Sequence, residues 1–481
     1  MAGKDTTTLS VSREAAVSAA SKGVQIVLGF AGILLFTQIL GNDGLGEYRT
    51  VLAAAFVVVQ LTEGTGQALK KRISEVGVGA NEFLSFGLLV HAGVTALTAV
   101  VIVVGRPVTV PYFGSFLLAL GVALVTGALG FFSLLNAVQS GLGFPGRASW
   151  YDTVRSVLTL AAQAGFLLLG YRAFGVVAGL AVATVLSAAL VWLSVRVPLA
   201  VPTARTAQRV STFARHSVPT NLLGNLYQSA DPLLIRAFAG PGAVGFYAVA
   251  SRLVVPGSML AASINNALTV KSSGVDSVGG DVRADLVNSA SYAGLLSIPI
   301  LFGALAIPDA LMTSEVFGGT YSDAPGLVLV GMALFGVSNT YRQPFEAVIS
   351  GTDRPGVVFR VNFAVTILYL PFAVGLGLRY GLLGVVAGTV IAEAGRIAMY
   401  QWIAARSLGG TVFPRPVRHQ FLAGVVMFGA VEAVSRWLVT PDRWPVLLAV
   451  ICLGAVVYFA ALTAISSHFR DTVRFTIENV S

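Results

Sequence analysis

Apolar residues run along this chain in long blocks, not at the spacing of half-buried helices or strands. A bilayer core takes roughly 20 mostly apolar residues in a helix. Fourteen stretches meet that need, at about 18–40, 48–69, 83–104, 115–138, 150–170, 175–195, 218–239, 244–267, 287–308, 325–349, 357–378, 382–405, 418–438 and 444–466. The segments between them are short. The longest, 196–217, 268–286 and 406–417, are too small to fold into a catalytic domain. The pattern predicts an all-α polytopic membrane protein with no soluble domain of its own.

Composition agrees. The 481 residues are 55% hydrophobic and 11% charged, where soluble proteins carry about a quarter charged residues. Mean hydropathy is +0.80. The net charge of +9 raises nucleic-acid binding, but the placement of the charges answers it. With the N-terminus in the cytoplasm and the loops alternating, twenty-four of the 31 Lys and Arg fall inside. They include Lys70, Lys71 and Arg72, and Arg205, Arg209 and Arg215. That is the bias of a multi-pass protein of the cytoplasmic membrane. Fourteen is even, so both termini are expected in the cytoplasm, and nucleic acid is not an expected partner.

An internal repeat organises the spans. Ala137–Gly146 (AVQSGLGFPG) and Ala347–Gly356 (AVISGTDRPG) share AVxSGxxxPG at an offset of 210. The sixth and twelfth spans both open with GVVAG, Gly175–Gly179 and Gly384–Gly388, at an offset of 209. Gly41, Gly46 and Tyr48 after the first span are echoed by Gly240, Gly245 and Tyr247 after the seventh. The expected organisation is two six-helix lobes, 1–205 and 206–410, followed by two further helices and a tail, 411–481. Six is even, so the copies stand the same way up, a parallel repeat. The GVVAG segments carry the Gly-x-x-x-Gly spacing that lets helices approach closely.

The segment FTQILGNDGLGEYRTV and its echo IRAFAGPGAVGFYAVASRLV resemble the polysaccharide-transport, oligosaccharide-flippase branch of the MATE-like exporter superfamily. The span count and twin lobes resemble it too, along the whole chain. The resemblance implies a V-shaped pair of lobes around a central cavity and alternating access. It also implies a lipid-linked oligosaccharide as cargo, moved for surface polysaccharide or glycoprotein assembly.

Such a cargo demands a wet, cationic path for a sugar-phosphate head, and ionisable groups inside a membrane are functional candidates by default. The first span carries Ser18, Ser21, Lys22 and Gln25; its repeat partner carries Asn221, Asn225 and Gln228 at i, i+4 and i+7. Gln60, Glu63 and Gln67 stripe the second span, and Asn339, Arg342, Gln343 and Glu346 the tenth, while Ser251 and Arg252 open the eighth. The candidate cargo-binding set is therefore Lys22, Gln25, Asn221, Asn225, Gln228, Arg252 and Arg342. Lys22, Arg252 and Arg342 are the candidates for phosphate, since arginine offers it a bidentate fork. Glu63 and Asp231 are candidates for ion coupling. The competing account of each residue is an interhelical hydrogen bond or snorkelling to the interface. Glu393 with Arg396 at i, i+3, and Glu432 with Arg436 at i, i+4, are expected to pair on their own helices.

Other motifs carry little. Gly141–Gly146 matches GxGxxG but follows a membrane helix, not a strand. The acceptor-like Asn479-Val480-Ser481 is expected in the cytoplasm. The four histidines make no metal spacing and no P-loop is present, so neither metal nor cofactor is expected. An enzyme would need a large outer loop; the largest, about 309–324, offers only Asp309, Glu315 and Asp323. A cation-coupled multidrug or metabolite antiporter of the same superfamily, and a flippase for a lipid-linked peptidoglycan precursor, are the alternatives. The expected partners are the cargo and the bilayer, with glycan-assembly enzymes beside a functional monomer.

Overall fold

The computed structural model describes residues 11–75, 79–277, 281–313, 326–352, 354–407, 410, 412–441, 443–471 and 474, and every regular element among them is an α-helix. In chain order these are α1 (Val11–Ile73), α2 (Asn81–Val104), α3 (Arg106–Phe113), α4 (Phe116–Gly141), α5 (Pro145–Leu168), α6 (Arg172–Val195), α7 (Ala204–Ser277), α8 (Arg283–Ala293), α9 (Ser297–Ala306), α10 (Pro308–Thr313), α11 (Gly326–Gly351), α12 (Pro355–Ser407), α13 (Arg415–Trp437) and α14 (Trp444–Ile465). A membrane imposes this economy: only helices and closed barrels satisfy every backbone group away from water.

Nine runs among the described residues are long and apolar enough to cross a membrane. Three of them, Gly23–Ile73, Ala204–Ala262 and Gly356–Ser407, span 51, 59 and 52 residues, twice or more what one crossing needs. Each is broken by one glycine outside helical geometry: Gly41 (φ 66°, ψ −172°), Gly240 (φ 83°, ψ −178°) and Gly381 (φ 56°, ψ −128°). The positive φ admits glycine without a steric cost. With these runs halved, and with the more polar α5 and α11, 24 and 26 residues long, the described residues hold fourteen membrane-length legs. They correspond to the fourteen apolar stretches. The sequence marks 204–217 and 268–277 as connection, but both are helix. Hydropathy sees only the bilayer crossing, and these turns extend α7 past it on polar residues such as Arg205 and Arg209.

The repeat reappears in packing. A Cβ on Gly179 of α6 would lie 2.8 Å from the Gln163 backbone of α5, and one on Gly388 would lie 2.7 Å from the Ala373 Cα in the preceding leg of α12. One on Gly141 would lie 3.1 Å from the Lys70 carbonyl, and one on Gly351 2.7 Å from the Thr269 carbonyl. Equivalent glycines thus mark equivalent close crossings, as the Gly-x-x-x-Gly spacing predicts. Gly41 and Gly240, 199 residues apart in both sequence and role, break their helices with nearly the same backbone angles.

The chain divides into two compact units, Met1–Gly245 and Phe246–Ser481. In the first, α4 is the interior helix: 67% of its apolar window is buried, against 17% for α2, which turns its apolar side outward to lipid. Its core includes Leu69, Leu84, Leu134, Leu135 and Val138, all fully buried. The leg of α7 before Gly240 packs here. A Cβ on Gly64 would lie 2.7 Å from Val218, and Tyr112 Oη donates to the Leu233 carbonyl at 2.7 Å. The second unit has its core among α9, α13 and α14, built on Ile298, Ala423, Tyr458 and Leu462.

The connection between α6 and α7 is pinned down. Ala200 N–H donates to Ser85 Oγ at 3.0 Å, and the Thr203 N–H and hydroxyl donate to Glu82 Oε2 at 3.1 and 2.8 Å. Glu75, just past α1, receives Arg72 at 2.8 Å and Arg209 of α7 at 2.6 Å. The Arg72 hydrogen bond and the nearby positive charges hold the Glu75 carboxyl below the usual carboxylate range.

Candidate functional site

In the first unit the polar side chains of α1 meet α5. Ser21 Oγ lies 2.6 Å from Thr153 Oγ1 and donates to the Ser149 carbonyl at 2.7 Å; Gln25 Nε2 donates to Ser21 Oγ at 3.0 Å. Gln25 is half-buried, and its Nε2 also reaches Thr153 Oγ1 of α5 at 3.4 Å, so its amide helps tie the two helices. The side chain of Lys22, like that of Ser18, lies outside the described residues.

Further along α1, Glu63 is half-buried beside Gln60, Ser133 and Asp152. Asp152 is held by Arg155 at 2.7 Å, and Arg155 stacks over the Phe132 ring. Two buried acceptors here, Gln60 Oε1 and Asn136 Oδ1, have no hydrogen-bond partner within the protein. Glu63 thus lies among polar side chains of its own unit.

The amide stripe of α7 divides by depth. Gln67 Nε2 donates to Asn221 Oδ1 at 3.3 Å, while Asn221 Nδ2 is buried without a partner. Asn225 Nδ2 donates to the Asn221 carbonyl at 3.2 Å, Gln228 is exposed, and Asp231 is 3% exposed. Arg236, one turn on, donates through Nε to the Tyr112 carbonyl at 2.6 Å.

In the second unit Arg252 is half-buried on α7. Arg342 is engaged on three sides. Its Nη1 meets Glu346 Oε2 at 2.5 Å, its Nη2 donates to Asn339 Oδ1, and its Nε lies 4.0 Å from Glu393 Oε2 on α12. Glu393 in turn holds Arg396 at 3.1 Å, and Tyr400 Oη donates to Glu346 Oε1 at 2.9 Å. Two arginines and two glutamates thus form a charge-balanced set, with Glu393 and Arg396 buried, Arg342 and Glu346 half-buried, and Tyr400 bonded to its edge. Glu393 and Arg396 pair at i, i+3 as their spacing predicts, and Glu432 with Arg436 at 2.5 Å and i, i+4 likewise. Spacing also brings out Glu346, one turn from Arg342. It missed Tyr400, although Glu393, Arg396 and Tyr400 fall at i, i+3 and i+7 on one face of α12.

Among the described residues no three His, Cys, Asp or Glu side chains gather to hold a metal ion. Glu315, Asp323 and Asn479 lie outside the described residues.

Comparison with known proteins follows this architecture. The fold matches that of the lipid II flippase MurJ in an inward closed conformation over 95% of this chain and 99% of that one, with a TM-score of 0.72 at 15% identity. It also matches an inward-facing multidrug-resistance MATE transporter of the MOP superfamily over 79% and 94%, with a TM-score of 0.65 at 17% identity. The architecture is therefore MATE-like. In sequence, the chain is 25% identical over 373 residues to the probable low-salt glycan biosynthesis flippase Agl15 of Haloferax volcanii, covering 76% of this chain and 78% of that protein. It is 26% identical over 165 residues to the teichuronic acid biosynthesis protein TuaB of Bacillus subtilis, covering 33% and 32%. The polysaccharide biosynthesis protein family matches residues 11–269, more than half of the chain, and the chain belongs to that family.

Proposed function

We propose that this protein flips a lipid-linked oligosaccharide across the cell membrane by alternating access, as a transporter and not an enzyme. The observation that carries the reading is the similarity to a glycan biosynthesis flippase along three-quarters of the chain, joined to family membership. The physics agrees. A sugar-phosphate head cannot enter hydrocarbon alone, and half-buried amides and guanidinium groups at membrane depth replace its hydration.

In this reading the lobes are 1–205 and 206–410, with 411–481 appended, and both termini lie in the cytoplasm on the side rich in Lys and Arg. Arg252 and Arg342 hold the phosphate together with Lys22. The amides of Gln25, Asn221, Asn225 and Gln228 serve the sugar hydroxyls, and Glu63 and Asp231 serve ion coupling. The protein acts as a monomer beside glycan-assembly enzymes. A charge-assisted hydrogen bond contributes roughly 1.5–3 kcal/mol, so Arg252→Ala or Arg342→Ala is expected to cut export of surface glycan about tenfold or more. Glycan on the cell surface and protein in the membrane are measured together. Normal export by both variants overturns the phosphate assignment.

A further inference from the structure

We infer that the second unit carries a docking cavity for an amphipathic helix of another protein, one that presents two apolar side chains at i and i+3 and an acidic flank. The inference is independent of how cargo is bound.

The internal repeat points to it, because the same place is filled in one unit and open in the other. In the first unit the start of α2, the end of α4 and the end of α6 build a core that includes Leu84, Val138 and Val195. The opening turns of α7 close that core: Val210 is fully buried in it and Phe213 packs against it. The polar residues around them are tied down too. Thr203 and Thr206 donate to Glu82, and Arg209 meets Glu75 at 2.6 Å and lies over the Phe83 ring at 5.5 Å.

The corresponding elements of the second unit are the start of α8, the end of α11 and the end of α12. Leu84 and Leu286 each open a helix with an N–H bond to the residue four before, Ala80 and Val282. The offsets of 210 and 209 pair Val138 with Val348 and Val195 with Ala404. Leu286, Val348 and Ala404 line a cavity of about 280 Å³. Among the described residues none plays the part of Val210 and Phe213. The chain leaving α12 is strapped elsewhere: Arg283 donates to the Gly410 carbonyl at 2.9 Å, and Gln401 holds the Val412 carbonyl and N–H at 2.7 and 2.8 Å. The volume falls below the roughly 300–1,000 Å³ of small-molecule sites. It suits a pair of apolar side chains, which is what α7 supplies in the first unit.

Charge selects the guest. In the first unit the host supplies the acids, Glu75 and Glu82, and the incoming helix the base, Arg209. In the second unit Ala284 stands in the place of Glu82, and Arg354 in the place of Phe144 in the repeated AVxSGxxxPG segment. Arg354 is exposed at the rim of the cavity, and its guanidinium makes no hydrogen bond or ion pair among the described residues. Asp281, the acid of the rim, accepts the Arg283 N–H at 2.8 Å, and Asp285 is held by Lys271 at 2.6 Å. The polarity is reversed: here the host offers the free cation, so the guest brings the carboxylate. Apolar anchors seated in a groove give a docked helix its affinity, and charges at the rim give it selectivity.

The test uses the full-length protein in a neutral detergent and fluorescent peptides as probes, followed by anisotropy. The acidic probe is segment 204–217 with Arg205→Glu, Arg209→Glu and Arg215→Glu. Saturable binding is expected, weakened about tenfold or more when the probe also carries Val210→Ser and Phe213→Ser. Arg354→Glu in the protein should weaken the acidic probe about fivefold or more, and should strengthen binding of the unaltered basic segment 204–217. No saturable binding, or equal binding of the serine probe, overturns the helix site. An Arg354→Glu protein that binds both probes as the wild type does overturns the acidic guest. Displacement of the acidic probe by phosphatidylglycerol in mixed micelles, lost in Arg354→Glu, assigns the cavity to a lipid and overturns the inference as well. The comparison between acidic and serine probes needs only the wild type, and decides the matter if Arg354→Glu fails to fold.

Discussion

The symmetry-related glycine crossings can be tested by adding one carbon atom. In an exposed helix interior, Gly→Ala gains about 0.8–1 kcal/mol, because alanine loses less backbone entropy on folding. Gly429 of α13 is such a position: it is exposed, and a Cβ there meets nothing within 4 Å. Gly388 is its opposite. A Cβ there would lie 2.7 Å from the Ala373 Cα, 2.8 Å from its nitrogen and 3.2 Å from its Cβ. All three are fixed to backbone, so no side chain can rotate away and the two helices must part. Overpacking of this kind costs about 1–3 kcal/mol, which offsets the propensity gain and leaves a net loss of up to about 2 kcal/mol. Gly179, against the Gln163 backbone at 2.8 Å, should behave like Gly388 because the repeat places it at the same crossing. The assay is thermal unfolding of detergent-purified variants, followed by loss of the monodisperse peak in size exclusion. Gly429→Ala should match or exceed the wild type, while Gly179→Ala and Gly388→Ala should both fall below it. A Gly388→Ala protein as stable as Gly429→Ala would refute the close crossing. A split between Gly179 and Gly388 would refute their equivalence.

Two further outcomes follow from charge. Glu393 is 1% exposed and Arg396 5% exposed, so Glu393→Gln breaks a buried ion pair by removing one of its charges and should cost about 3–5 kcal/mol. The double variant Glu393→Gln with Arg396→Met should recover most of that loss in the same unfolding assay, and strictly additive losses would show the pair to be uncoupled. The Glu75 staple carries a pH signature. Its carboxyl is held below the usual range in the folded state, so its contribution is present above the ordinary carboxylate pKa and fades as pH falls through the lowered one. With both partners about a third exposed, the contribution is under about 1 kcal/mol. Glu75→Gln should lower stability slightly at neutral pH and not in strong acid; an equal loss at both would remove the ion pair as the cause.

The crossings were legible because the bilayer imposes one length and one polarity on every leg, and fourteen apolar stretches met that demand. What lies beyond the bilayer was not legible in the same way. Hydropathy ends α7 near 218 and 267, yet the helix runs from Ala204 to Ser277, since polar turns outside the membrane cost a helix nothing. The breaks at Gly41 and Gly240 were visible as a repeated motif, but only the backbone angles show why glycine recurs there. The compact units divide at Gly245, a matter of which surfaces pack, and sequence similarity between repeats does not report packing.

The polar residues show the same division between spacing and partnership. Helical spacing placed Asn339, Arg342 and Glu346 on one stripe of α11, and they do bond to one another. Spacing within a helix cannot name a partner on another one. Tyr400 is 54 residues from Glu346 and carries no charge, and its hydrogen bond depends on how α12 lies against α11. That contact changes the meaning of the arginine. Alone on a stripe, Arg342 reads as a cation waiting for phosphate. Held by Glu346, whose other oxygen takes the Tyr400 hydroxyl, it is a cation that already has its anion. The hold of Tyr400 on Glu346, and of Glu346 on Arg342, therefore belongs to the energetics of any anion this arginine would take, and none of it can be read from spacing along α11 alone.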